Sequence, residues 1–184
     1  MPTNSIYEEL VAAQLKELGH SASNGMSETP ARVAKYHREY LQSDGDPVEE
    51  AVKELKMFDE PGIGGMINVR SGFASTCEHH LVPFFGTVQV VYLPDKRITG
   101  LSKIHRVLEV LSKRPQIQER ITAQLADVMM HLEPMGVLVD ATAEHMCMRC
   151  RGINDPLSMT RTRVVRGQFE TDTDLRNQAI SMLM

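Results

Sequence analysis

With 184 residues, 42% of them apolar and 24% charged, the chain is long enough to bury one substantial core and has the balance of an ordinary globular protein. Its net charge of −4 excludes broad electrostatic binding to nucleic acid or anionic lipid, so an anionic ligand must be met by a local group of Lys and Arg. The amino end, MPTNSIYEELVAAQLKELGH, is not a signal peptide, no window reaches the roughly 20 apolar residues of a membrane helix, and an odd number of cysteines reads as reduced thiols in the cytosol.

In chain order, residues 4–18 place Ile6, Leu10, Val11, Leu15 and Leu18 on one face at helical spacing. SETPARVAKYHREYL predicts a second helix with Thr29 as N-cap and Pro30 at its first position, and DPVEEAVKEL repeats the device with Asp46 and Pro47. DEPGIGG at 59–65 is the clearest break, and it separates an N-terminal helical region, 1–62, from a main domain, 63–184. Residues 66–76 and 86–93 then read as strands. A helix over 101–112 aligns Ile104, Val107, Leu108 and Leu111, and another from Pro115 aligns Ile117, Ile121, Leu125, Val128 and Leu132. GVLVDATAEHMCMRC and MTRTRVVRGQF read as two more strands, and 172–184 as a terminal amphipathic helix. The main domain is therefore β-β-α-α-β-β, an α+β arrangement.

The chemistry gathers in two stretches. STCEHHLVPFFG sets Cys77, Glu78, His79 and His80 in an unbroken run, and AEHMCMRCRG lies far downstream. Read as a strand, the second stretch points His145 and Cys147 one way, followed by Arg149 and Arg151, and turns Cys150 to the other face as a small buried hydrophobe. Cys77, His80 and Cys147 would supply three zinc ligands and leave a place for water, whose pKa such a metal lowers to about 7. His79 and His145 are then free to carry protons. Spacing alone leaves open a closed four-ligand structural zinc, a Cys77–Cys147 crosslink, or plain packing. GLSKIHR sets Ser102, Lys103 and Arg106 at a helix start, where exposed amides favour phosphate, although such residues are more often a solvated face. RPQIQER sets Gln118 and Glu119 in the first turn of the next helix, where Glu also complements the dipole. No G-x-x-x-x-G-K-[ST] run is present, which excludes a P-loop.

Taken in order, STCEHHLVPFFG, GLSKIHRVLEVLSKRPQIQERIT and HMCMRCRG resemble GTP cyclohydrolase I, and ETPARVAK resembles that family's helical amino-terminal region. The resemblance implies a tunnelling fold, in which sheets of several subunits join edge to edge into a barrel. It also implies a homodecamer of two stacked pentameric rings with active sites at subunit interfaces. The implied reaction turns GTP and water into formate and 7,8-dihydroneopterin triphosphate, the first step of tetrahydrofolate and pterin biosynthesis. Cys77, His80 and Cys147 would hold Zn2+, with His145 and His79 shuttling protons as the imidazole ring opens. Glu119, helped by Gln118, would anchor the guanine. Ser102, Lys103, Arg106 and Arg151 would hold ribose and triphosphate, with Arg32 reaching in from the helical region, and Ser102 would assist the later ribose rearrangement. The resemblance gives no role to His105, Arg149 or Cys150. Two rival readings are an NADPH-dependent nitrile reductase of deazapurine metabolism with the same fold, and a non-catalytic assembly protein that keeps zinc for structure.

Overall fold

The computed structural model describes residues 5–21, 23–41 and 45–183, and the chain divides into two units, Met1–Gln42 and Ser43–Met184. In the first unit, helix α1 (Ile6–Glu17) is capped by the Ser5 hydroxyl, which accepts from the Glu8 amide. It packs on α2 (Thr29–Tyr40), where Glu28 occupies the cap position and Thr29 is already helical. Of the apolar stripe predicted for α1 only Val11 is buried, while Ile6, Leu10 and Leu18 are 78%, 59% and 65% exposed. Residue 4, where that helix was expected to start, lies outside the described residues.

The second unit opens with α3 (Pro47–Glu54), whose first turn is capped by Asp46: its carboxylate accepts from the amides of Val48 and Glu49 at 2.7 and 3.2 Å. The sequence reading grouped this helix with the amino-terminal region, but it packs against helices of the second unit. There follow β1 (Met57–Asp59), β2 (Ile67–Cys77), β3 (Pro83–Leu93), β4 (Arg97–Thr99), α4 (Leu101–Ser112), β5 (Pro115–Gln116) and α5 (Gln118–Met130). The chain ends with β6 (Gly136–His145), α6 (Met146–Arg149), β7 (Thr160–Gly167), α7 (Gln168–Thr171) and α8 (Thr173–Ser181). The sheet runs β5-β2-β3-β6-β7, while β1 and β4 pair separately. The four long strands are antiparallel neighbours, with α4 and α5 inserted between β3 and β6, so the β-β-α-α-β-β order read from the sequence is the one observed.

Strand alternation explains the core. Val88, Val90 and Tyr92 on β3 and Val137, Val139 and Ala141 on β6 face one way. Against them lie Ile104, Val107, Leu108 and Leu111 of α4 and Ile121, Leu125, Val128 and Met129 of α5, all essentially buried. The opposite face is apolar only where Val91 and Leu138 meet Phe169 and Ala179 from the last two helices. Further along that face Asp140, 3% exposed, accepts from Arg161 at 2.8 Å and from its register partner Arg163 at 2.6 Å. A carboxylate this buried requires such partners. Gly86 holds β3 and β6 together near the end of the sheet that carries the site. A Cβ there would fall 1.9 Å from the Thr142 carbonyl oxygen, so any side chain would force the two strands apart.

Three sequence expectations shift. The segment from Pro115 starts as a two-residue strand parallel to the end of β2, and the helix begins only at Gln118. The strand expected to run through Cys150 stops at His145, and the chain turns into α6. The last predicted strand ends at Gly167, and Gln168–Thr171 coils into a short helix before the expected terminal one, Thr173–Ser181, which Asp172 caps by accepting from the amides of Asp174 and Leu175. Among the described residues no helix is long and apolar enough to cross a membrane.

Candidate active site

A tight connection between β2 and β3 builds the first half of the site. The Cys77 amide donates to Val82 O at 2.9 Å, the Leu81 amide returns to Cys77 O at 2.8 Å, and Leu81 adopts a φ of 52°. The turn folds His80 back until its Nδ1 lies 3.8 Å from Cys77 Sγ. The second half arrives through register. Phe84 is the cross-strand partner of His145, so β6 ends beside this turn. Because the chain coils into α6 at that point, Cys147 joins Cys77 and His80, and the three ligand atoms lie within 4.8 Å of one another.

The donor set fits a zinc ion. Bond lengths of ~2.3 Å to sulfur and ~2.0–2.1 Å to nitrogen, at a tetrahedral angle, set S and N about 3.6 Å apart, close to the 3.8 Å found between Cys77 and His80. Cys77 is buried, Cys147 half-buried and His80 exposed. All three cysteines are free, so Cys77 and Cys147 are neighbours without a crosslink. Among the described residues the group has no fourth ligand. Burial pushes the Cys147 thiol up, and the adjacent Cys77 adds to the effect.

Around this group, His79, Gln118, Glu119 and His145 line the same concavity as Cys77 and Cys147. The His145 ring stacks on Phe84 at 4.6 Å and 6°, and its Nε2 lies 2.8 Å from Gln118 Oε1. Burial holds the His145 imidazole below its ordinary value, with the Glu119 carboxylate pulling the other way. Glu78 is gripped by both terminal nitrogens of Arg120, at 2.6 and 3.1 Å. That hydrogen bonding holds its carboxyl below the usual range. His79 Nε2 is 3.8 Å from the same carboxylate.

The structure does not bring every expected residue here. Ser102, Lys103 and Arg106 lie in the first turns of α4, and Arg151 is exposed in the turn after α6; none of them lines the concavity. Arg32 belongs to the first unit, where it is exposed and paired with Glu28. Cys150 is exposed and donates its Sγ–H to Met146 O at 2.8 Å, which corrects its reading as a buried hydrophobe. The bend at α6 causes this by breaking the strand alternation on which that reading depended. Arg149 pairs with Glu144 across the same bend, and His105 meets the Ser71 hydroxyl at 2.7 Å. Sequence reading missed Phe84 and Arg120. Phe84 stood inside the motif already singled out, but nothing local marks Arg120 as a partner of Glu78.

The family model for GTP cyclohydrolase I matches residues 7–184. The chain belongs to the GTP cyclohydrolase I family. GTP cyclohydrolase 1 of Streptococcus pneumoniae strain Hungary19A-6 is 42% identical over 187 aligned residues, spanning 100% of this chain and 99% of that protein. The proteins of the same name from serotype 19F strain G54 and serotype 4 strain TIGR4 are also 42% identical. Members of this family are metal-dependent enzymes, and the described part of this chain offers Cys77, His80 and Cys147 for the metal. A crystal structure of the archaeosine synthase QueF-Like in the apo form covers 55% of this chain and 93% of that one, at 13% identity and a TM-score of 0.45. That likeness carries no weight for function.

Proposed function

We propose that the chain converts GTP and water to formate and 7,8-dihydroneopterin triphosphate, with Zn2+ held by Cys77, His80 and Cys147. The observation that carries this is the convergence of those three ligand atoms within 4.8 Å, in a concavity also lined by His79, Glu119 and His145. Cys77, His80 and Cys147 would hold the ion with one position left open, and a zinc ion there would supply Lewis acidity that makes water reactive near neutral pH.

The remaining work falls to the chain. His145, its ring plane fixed by Phe84, and His79 beside Glu78 move the protons that ring opening and formate departure require. Glu119 stands exposed at the start of α5 and accepts from the guanine N1–H and exocyclic amine. Ser102, Lys103, Arg106, Arg151 and Arg32 hold ribose and triphosphate, with Ser102 serving the ribose rearrangement. The position of Ser102, Lys103, Arg106 and Arg151 outside the concavity of one chain supports a pocket completed by another copy, as in a homodecamer of two pentameric rings. Among the described residues β7 is the last strand of the sheet, and its outer edge is the one such a barrel would use. Thiolate ligands suit a reducing cytosol, where we place the protein.

Incubation with GTP should release formate together with a pterin that fluoresces after oxidation. In Glu119→Ala, KM for GTP should rise ten- to hundredfold as charged hydrogen bonds to the base are lost, and preference for GTP over ATP should collapse. Unchanged discrimination between the two nucleotides would remove Glu119 from base recognition.

A further inference from the structure

Gln118 is the first residue of α5, lines the concavity and is 1% exposed. Its side chain is fully engaged inside the protein. Nε2 donates toward Ala141 O at 3.0 Å, Thr160 O at 3.2 Å and Thr162 Oγ1 at 3.1 Å. Oε1 lies 2.8 Å from His145 Nε2. Two of the three groups facing the amide nitrogen are main-chain carbonyls, which only accept. Rotating the amide by half a turn would set Oε1 against those carbonyls, so only the observed orientation is satisfied.

The hydroxyls close the network without ambiguity. Thr122 Oγ1 donates to Gln118 O at 2.7 Å, which uses its one proton. The 2.7 Å bond between Thr122 and Thr162 is then donated by Thr162, whose oxygen remains free to accept from Gln118 Nε2. The two Nε2 hydrogens are shared among three acceptors and both hydroxyl hydrogens are already assigned, so the Gln118 carboxamide cannot turn.

A fixed acceptor facing His145 Nε2 dictates that this nitrogen carries hydrogen. We infer that Gln118 is a positioning residue that holds neutral His145 in its Nε2–H tautomer, keeping Nδ1 as the proton-accepting nitrogen, and is not a guanine contact. Its burial supports the second half of this inference, because a side chain 1% exposed in one chain offers substrate almost no surface. The stacked Phe84 ring holds the imidazole plane, and Gln118 selects which nitrogen is the base. The tautomer follows from hydrogen bonding alone; only its catalytic consequence rests on the proton-transfer role proposed above for His145.

The test uses the full-length, zinc-loaded protein with isotope-labelled histidine. The His145 resonances, assigned by their loss in His145→Asn, should show the Nε2–H tautomer in the wild type; an Nδ1–H ring would overturn the inference. Gln118→Met, which keeps length but removes the acceptor, should convert that signal to a mixture of tautomers. It should lower kcat for GTP about 10- to 100-fold, the usual cost of losing an orienting partner, with KM changed less than about threefold and zinc retained. A raised KM with kcat preserved would instead make Gln118 a substrate contact. Should Gln118→Met fail to fold, Thr162→Val, which loosens the carboxamide and leaves His145 intact, should show the same pattern more weakly; unchanged kcat there would count against the inference. Absence of GTP turnover in the wild type would defeat the proposed function, and the tautomer measurement would still decide the hydrogen-bond assignment.

Discussion

Cys147→Ser is expected to strip the metal and abolish turnover. Serine preserves size but cannot supply an anionic sulfur, because its hydroxyl stays protonated where a ligand must lose its proton. Cys77 and His80, joined by the tight β2–β3 turn, would then be the only two ligands left of the group. Losing an outer-shell partner alone costs about 10- to 100-fold in affinity or activity, so loss of a direct ligand should lower turnover by at least about 10³-fold. Elemental analysis and formate release on the same preparation check both arms. Cys150→Ser is the matched control: that thiol is exposed and, among the described residues, donates to the Met146 carbonyl, so metal content and activity should stay near wild type. Full turnover by metal-free Cys147→Ser would refute the ligand assignment.

His145→Ala should behave differently, keeping its metal while turnover falls about 10²- to 10⁴-fold, the range expected when a positioned acid–base group is lost. The imidazole lies outside the three-ligand group, so its removal leaves Cys77, His80 and Cys147 in place. It also uncovers one face of Phe84 and leaves Gln118 Oε1 without its donor. An orphaned buried acceptor costs about 1–3 kcal/mol, so a moderately lower Tm should accompany the loss of rate. An unimpaired variant would remove His145 from proton transfer.

Much of this was legible in the sequence because local patterns and tertiary demands agreed. The helix over 101–112 is the clearest case: Ile104, Val107, Leu108 and Leu111 recur at helical spacing, and the same four are buried against the sheet. Where the two diverged, local reading failed. Pro115 resembles a helix start, but the parallel pairing of Pro115–Gln116 with Thr76–Cys77 comes from chain 39 residues upstream and no local signal announces it. Alternation through HMCMRC looks like a strand, yet the chain coils after His145, and Cys147 reaches Cys77 by the bend. The stripe on α1 obeyed its period, but Ile6, Leu10 and Leu18 find no cover among the described residues of the first unit. Cys77, His80 and Cys147 converge despite the error in secondary structure, and it was their chemistry, two thiols and an imidazole, that singled them out in the sequence. Gln118 shows the reverse limit. Its position in the motif suggested the guanine edge, while its burial and its bonds to Ala141, Thr160 and His145 were visible only in three dimensions.

The most direct test of the whole account is the metal content of the purified protein, measured beside its GTP-dependent release of formate before and after chelation. About one zinc per chain, with release abolished by the chelator and restored by added zinc, is the predicted result. Undiminished formate release from metal-free protein would contradict it.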